Sequence, residues 1–168
     1  MIGWALFGTW AAGWHLLSLL THVGVVYCSL LLLEKVTGDV RLAAIASLLF
    51  ALHPMRSESV AWISGITDLL LALFLIPSFL LYTRYRERGN WRYLACSAGL
   101  FLLAAFTKEP AVALPIFIGA YELLVANQEK PLSERIRPAV VNASLFLLLS
   151  AVYFGMRVVA LGFLINDL

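Results

Sequence analysis

Seven ionisable residues stand at the edges of apolar runs, where charge is costly and by default functional. Four belong to one segment, His53-Pro54-Met55-Arg56-Ser57-Glu58 and onward to Asp68. Lys108 and Glu109 form a second group, and Arg157 follows an apolar run later in the chain. Arg56, Lys108 and Arg157 could pair with a phosphate, since a phosphate removed from water must meet cations. Glu58 or Asp68 could orient sugar hydroxyls or an acceptor, and His53 could titrate near neutral pH. The same residues could equally be exposed charges at a membrane interface. His15 and His22 are seven apart, on one helix face with Ser18 and Ser29. Hydrogen bonding between helices is the expected role for that face. No HExxH or CxxC spacing supports a metal site, and Cys28 and Cys96 read as small apolar residues to be buried.

The elements that must hold these residues follow from composition. The 168 residues are 62% hydrophobic and 13% charged, with mean hydropathy +0.90. A soluble domain is about half apolar and about a quarter charged. Too few charges remain to cover a water-facing surface, which excludes a soluble enzyme, a nucleic-acid binder and a disordered segment. Gly13–Leu33 is an uncharged run of 21 residues, and a bilayer needs about 20. Further runs give candidate spans at 13–33, 41–53, 60–83, 92–107, 110–126 and 138–157. The expected fold is all-α, a polytopic transmembrane bundle of about six spans forming one membrane domain. Residues 1–12 form an outer interfacial segment. Pro77 and Pro115 lie inside spans and are expected to kink them.

If the spans alternate, loops 34–41, 84–92 and 127–138 share one side. They hold Lys35, Arg41, Arg84, Arg86, Arg88, Arg92, Lys130, Arg135 and Arg137, against Arg56 and Lys108 on the other. The excess of Lys and Arg marks the first side as cytoplasmic. Loops 53–67 and 107–110 then face outside, together with Met1. Trp4, Trp10 and Trp14 fit an interfacial belt there. Residues 1–12 carry no charge and no basic region of a signal peptide. An outward N-terminus without an earlier anchor is what a piece of a longer membrane domain would show. Asn142-Ala143-Ser144 matches a glycosylation sequon but falls on the inner side, where it is not expected to be used.

Phe50-Ala51-Leu52-His53-Pro54-Met55-Arg56-Ser57-Glu58-Ser59-Val60-Ala61-Trp62, with Asp68-Leu69-Leu70 after it, resembles a family signature. The family comprises bacterial multispanning proteins with tetratricopeptide repeats, similar to the eukaryotic transmembrane and tetratricopeptide-repeat O-mannosyltransferases. Gly13-Trp14-His15 through His22, Lys108-Glu109-Pro110 with Pro115, and Tyr153 through Arg157 resemble its other motifs in order. The resemblance covers roughly residues 8–162. Ser18 stands where the family usually has Asn, and Ile66 where Arg often follows the Gly. The family's acidic catalytic motif lies in a first outer loop, which would precede residue 13, and residues 1–12 hold no Asp or Glu.

The resemblance implies a glycosyltransferase-C fold in the bacterial inner membrane. It implies transfer of a sugar, mannose by analogy, from a polyprenyl-phosphate donor to protein Ser/Thr hydroxyls, and it leaves a divalent cation open as cofactor. The expected partners are the bilayer, the lipid-linked sugar and an acceptor protein. His53, Arg56, Glu58, Asp68, Lys108, Glu109 and Arg157 are the candidate donor- and substrate-binding residues. The chain on its own is expected to lack the catalytic acid. Two other readings compete: a non-catalytic membrane scaffold, and a transporter of a lipid-linked or small anionic solute. A transporter should place its polar groups at mid-span, whereas here most lie at outer helix ends.

Overall fold

The computed structural model describes Gly8, residues 10–126 and residues 128–161. The side chains of residues 56–59, Ile63 and Leu161 lie outside that description, as does most of the expected interfacial segment 1–12. Most of the described residues are helical, with no strand among them.

Helix α1 spans Ala11–Thr37 and α2 spans Val40–Leu52. Gly38, at φ 70°, ends α1 in the left-handed conformation that glycine adopts without a Cβ clash, and its N–H bonds Glu34 O at 2.8 Å. Asp39 then starts α2, its carboxylate accepting from the amides of Arg41 at 2.8 Å and Leu42 at 3.4 Å. Two residues thus turn the chain, and α1 packs along α2. Pro54 forces His53 into extended backbone and opens the short helix α3, Pro54–Ala61. A 3-10 turn, Ile63–Gly65, leads into α4, Ile66–Arg88, which contains Pro77.

Gly89, at φ 67°, closes α4, and Asn90 caps α5 (Trp91–Thr107) by accepting from Arg92 N at 3.0 Å. A 3-10 turn, Glu109–Ala113, precedes α6, Leu114–Tyr121. Pro115 sits in the first turn of α6. It does not kink a continuous helix, because its missing N–H falls where no intrahelical bond is needed. Glu122–Ala126 continues α6 as a π-helical turn, and α7 runs from Leu132 to Leu161 with Pro138 inside.

Among the described residues, four stretches are long and apolar enough to cross a membrane: Ala11–Thr37, Ile66–Arg88, Glu109–Ala126 and Leu132–Ala160. Val40–Leu52 and Trp91–Thr107 are apolar but shorter. Together they form an all-α membrane helix bundle. The helices turn apolar side chains outward, among them Leu16, Leu20, Val23, Leu49, Phe117 and Leu148. That is the arrangement expected of a chain whose solvent is lipid, where apolar contact with the surroundings costs nothing. Cys96, expected to be buried, is likewise exposed, while Cys28 is half-buried.

The chain divides into two compact units, residues 1–77 and 78–168. The first unit's interior includes small and polar residues: Ser18, Thr21, His22, Ala43 and Ser47 beside Val25 and Leu69. His22 Nε2 lies 3.3 Å from Ala51 O, and its ring stacks on Phe50. His15 is exposed, since α2 ends one residue beyond Ala51 and offers nothing at its level. The two histidines thus have separate surroundings. A Cβ added to Gly24 would come within 2.9 Å of Leu73 Cδ1, so α4 approaches α1 closely there.

The second unit centres on Tyr82, Phe101, Leu114, Ile118 and Phe146, all fully buried. Phe101 and Phe146 meet edge to face at 5.5 Å between centroids, as do Tyr82 and Phe146 at 6.0 Å. Ser78 and Ser97 each donate to the other's carbonyl, at 2.8 and 2.7 Å, tying α4 to α5.

Candidate functional site

In the first unit, His53 is exposed and its Nδ1 accepts from Met55 N–H at 3.2 Å. The ring therefore caps α3 and carries its proton, when neutral, on Nε2. Arg56 and Glu58 lie on α3, but their side chains are outside the description. Asp68 is half-buried in the first turn of α4, where a carboxylate is favoured by the helix dipole.

In the second unit, Lys108 is the extended residue that ends α5 and precedes the Glu109–Ala113 turn. This turn brings Glu109 against Arg157 of α7, and the carboxylate pairs with Arg157 Nη1. The same Nη1 donates to Tyr153 Oη at 3.0 Å, one helical turn earlier. The Tyr153 ring is fixed in turn by Phe106, edge to face at 5.5 Å. Arg157 is thus preset by an aromatic hydroxyl and a carboxylate, and its Nε and Nη2 have no partner among the described residues. Both charged side chains are partly exposed, at 37% and 48%, so the pair contributes little to stability. A guanidinium held this way can receive a phosphate oxygen without first being ordered. Of the seven expected residues, the structure brings Glu109 and Arg157 into direct contact and adds Tyr153 as the group that orients the arginine.

A second polar centre was not among the expected residues. Glu122 is fully buried. Tyr82 donates its hydroxyl to Oε1, Asn142 Nδ2 donates to the same oxygen at 3.1 Å, and Arg86 Nη2 donates to Oε2 at 3.1 Å. Arg86 Nε also lies 2.5 Å from Oε1, an ion-pair contact without hydrogen-bond alignment. A buried carboxylate needs such partners to remain charged. The signal was available in the sequence, because Glu122 is the one charged residue between Pro110 and Ala126. Beside it, Arg135 binds backbone carbonyls: Lys130 O at 2.6 Å, Leu123 O at 3.1 Å, and Gln128 O. These are acceptors that the end of a helix leaves unsatisfied.

Among the described residues, no three His, Cys, Asp or Glu side chains converge as metal ligands.

Comparison with known proteins identifies a consistent set of relatives. Protein O-mannosyl-transferase TMTC3 of Homo sapiens is 34% identical over 117 residues, covering 68% of this chain and 13% of that protein. Protein O-mannosyl-transferase Tmtc3 of Drosophila melanogaster is 30% identical over 147 residues, 71% of this chain and 16% of the relative. Protein O-mannosyl-transferase TMTC2 of Mus musculus is 30% identical over 152 residues, 84% and 18% respectively. The chain thus spans less than a fifth of the length of these relatives. No family profile and no solved structure matches it.

Proposed function

This chain belongs to a TMTC-like family of membrane proteins, and from that premise we propose that the intact protein is a membrane glycosyltransferase. It transfers a mannosyl group from a polyprenyl-phosphate donor to serine or threonine hydroxyls of a protein. The residues described here form part of its membrane domain. The observation that carries this reading is the 34% identity over 117 residues to a protein O-mannosyl-transferase. The preset Arg157 supports it, as a cation with free N–H groups at the end of an apolar helix.

On this reading all six apolar helices cross the bacterial inner membrane. The turns holding His53–Thr67 and Thr107–Pro110 face outward, and the three basic turns face the cytoplasm. Arg157, with Lys108, binds the donor phosphate. Tyr153 and Glu109 hold the guanidinium in place. Within the first unit, taken by itself, Arg56 is a candidate cation, and Asp68 and Glu58 accept from sugar or acceptor hydroxyls. His53 shapes the loop between α2 and α4.

The test is sugar transfer by the intact protein from polyprenyl-phosphate mannose to an acceptor polypeptide. Arg157→Ala should lower kcat/KM by about two orders of magnitude, as loss of a donor to developing charge does, and Arg157→Lys should recover part of it. Full activity in Arg157→Ala would remove Arg157 from the donor site, and absence of transfer by the unmodified protein would support the scaffold reading.

A further inference from the structure

The basic residues at the α4–α5 end of the second unit have different occupations. Arg86 is committed to Glu122, and Arg135 to backbone carbonyls. Arg84, Arg88 and Arg92 are exposed. Arg84 and Arg88 are one turn apart on α4, so they share a face. Arg92 follows Gly89 and Asn90, whose cap turns the chain back and sets it on the first turn of α5. Arg88 is held by Tyr93, donating to its hydroxyl at 3.1 Å. The guanidinium groups of Arg84 and Arg92 have no partner among the described residues. Trp91, beside them, is 69% exposed.

We propose that this turn binds the phosphate of an anionic phospholipid, held by Arg84, Arg88 and Arg92, with Trp91 seated at headgroup depth. Arginine forks suit phosphate oxygens, and indole rings prefer the interface between headgroup and hydrocarbon. The cluster closes an apolar helix long enough to cross a membrane, which places it where lipid phosphates are concentrated rather than in free solution. The inference rests on the membrane placement and is independent of transferase activity.

The experiment uses the intact protein in phosphatidylcholine nanodiscs titrated with phosphatidylglycerol, with bound lipid read by native mass spectrometry. The double variant R84Q/R92Q should bind phosphatidylglycerol about thirtyfold more weakly, roughly fivefold per arginine. Its melting in phosphatidylcholine alone should be unchanged, because both side chains are exposed. If the double variant fails to fold, R84Q and R92Q singly decide the same point at about fivefold each. Unchanged phosphatidylglycerol binding in these variants overturns the proposal. An equal loss from K130Q/R137Q, which removes the same charge elsewhere, also overturns it. Displacement of the lipid by inorganic phosphate at matched concentration would show a soluble-phosphate site and would overturn it too.

Discussion

Glu122 is the residue whose surroundings most constrain it. Three donors from α4 and α7 converge on a carboxylate with no exposed surface. Removing it would leave Arg86, only 27% exposed, without its counter-charge. Breaking a buried pair from one side costs about 3–5 kcal/mol, and the partial exposure of Arg86 puts the expected loss at the lower end. Glu122→Ala should therefore lower the melting temperature markedly in thermal unfolding, and Glu122→Gln less, since an amide oxygen still accepts from Tyr82 or Asn142. A Glu122→Ala protein as stable as its parent would mean that the network contributes nothing. At Arg157 the expectation is the reverse. Its pairing with Glu109 is exposed and weak, so substitution there should leave stability nearly unchanged while reducing activity. These two carboxylate–arginine pairs look alike in sequence. They differ because the carboxylate of the first is fully buried and that of the second is exposed.

At the scale of the elements, the turns are built by a few residues. Gly38 supplies a positive φ and Asp39 supplies the cap. Gly38→Ala should cost about 1 kcal/mol, because a Cβ is disfavoured in the left-handed region, and Asp39→Ala about the same through loss of the cap. Chemical unfolding of each variant checks both, and no change in either would show that the turn is held by packing alone. Gly24 tests the approach of α4 to α1. Gly24→Ala meets only the flexible end of Leu73 and should be tolerated. Gly24→Ile should cost about 1–3 kcal/mol by overpacking. Equal stability of the two variants would rule out a tight contact there. His53 also belongs at this scale. Its place in the His-Pro motif reads as chemistry in the sequence, yet its ring nitrogen caps α3, a role that follows from the proline fixing the backbone beside it.

For the whole molecule, the basic turns set the expected orientation. With Cys28 and Cys96 replaced by alanine, single cysteines at Ser64 and Gln128 report it. A membrane-impermeant thiol reagent added outside should label the first and not the second. Labelling of both from one side would break the alternation on which the six-span reading depends. The outward-facing apolar side chains and inward serines, threonines and histidine are consistent with a bundle that turns its polar groups inward, away from lipid.

Composition and run lengths by themselves determined the helical membrane class. A backbone in lipid must satisfy its own hydrogen bonds, and runs of about 20 apolar residues leave few alternatives. The loops at 34–41 and 84–92 were equally legible as polar breaks between apolar runs, while the capping roles of Gly38, Asp39, Gly89 and Asn90 within them came from the structure. The His-Pro, Lys-Glu-Pro and Tyr-x-x-x-Arg patterns carried the family. The pairing of side chains distant in sequence was not legible. That Glu109 meets Arg157, that Glu122 gathers Tyr82, Arg86 and Asn142, and that His22 is buried while His15 is exposed depend on helix rotation and register. Those are set by packing of small residues and aromatics between helices, and hydropathy along one chain carries no record of which faces meet.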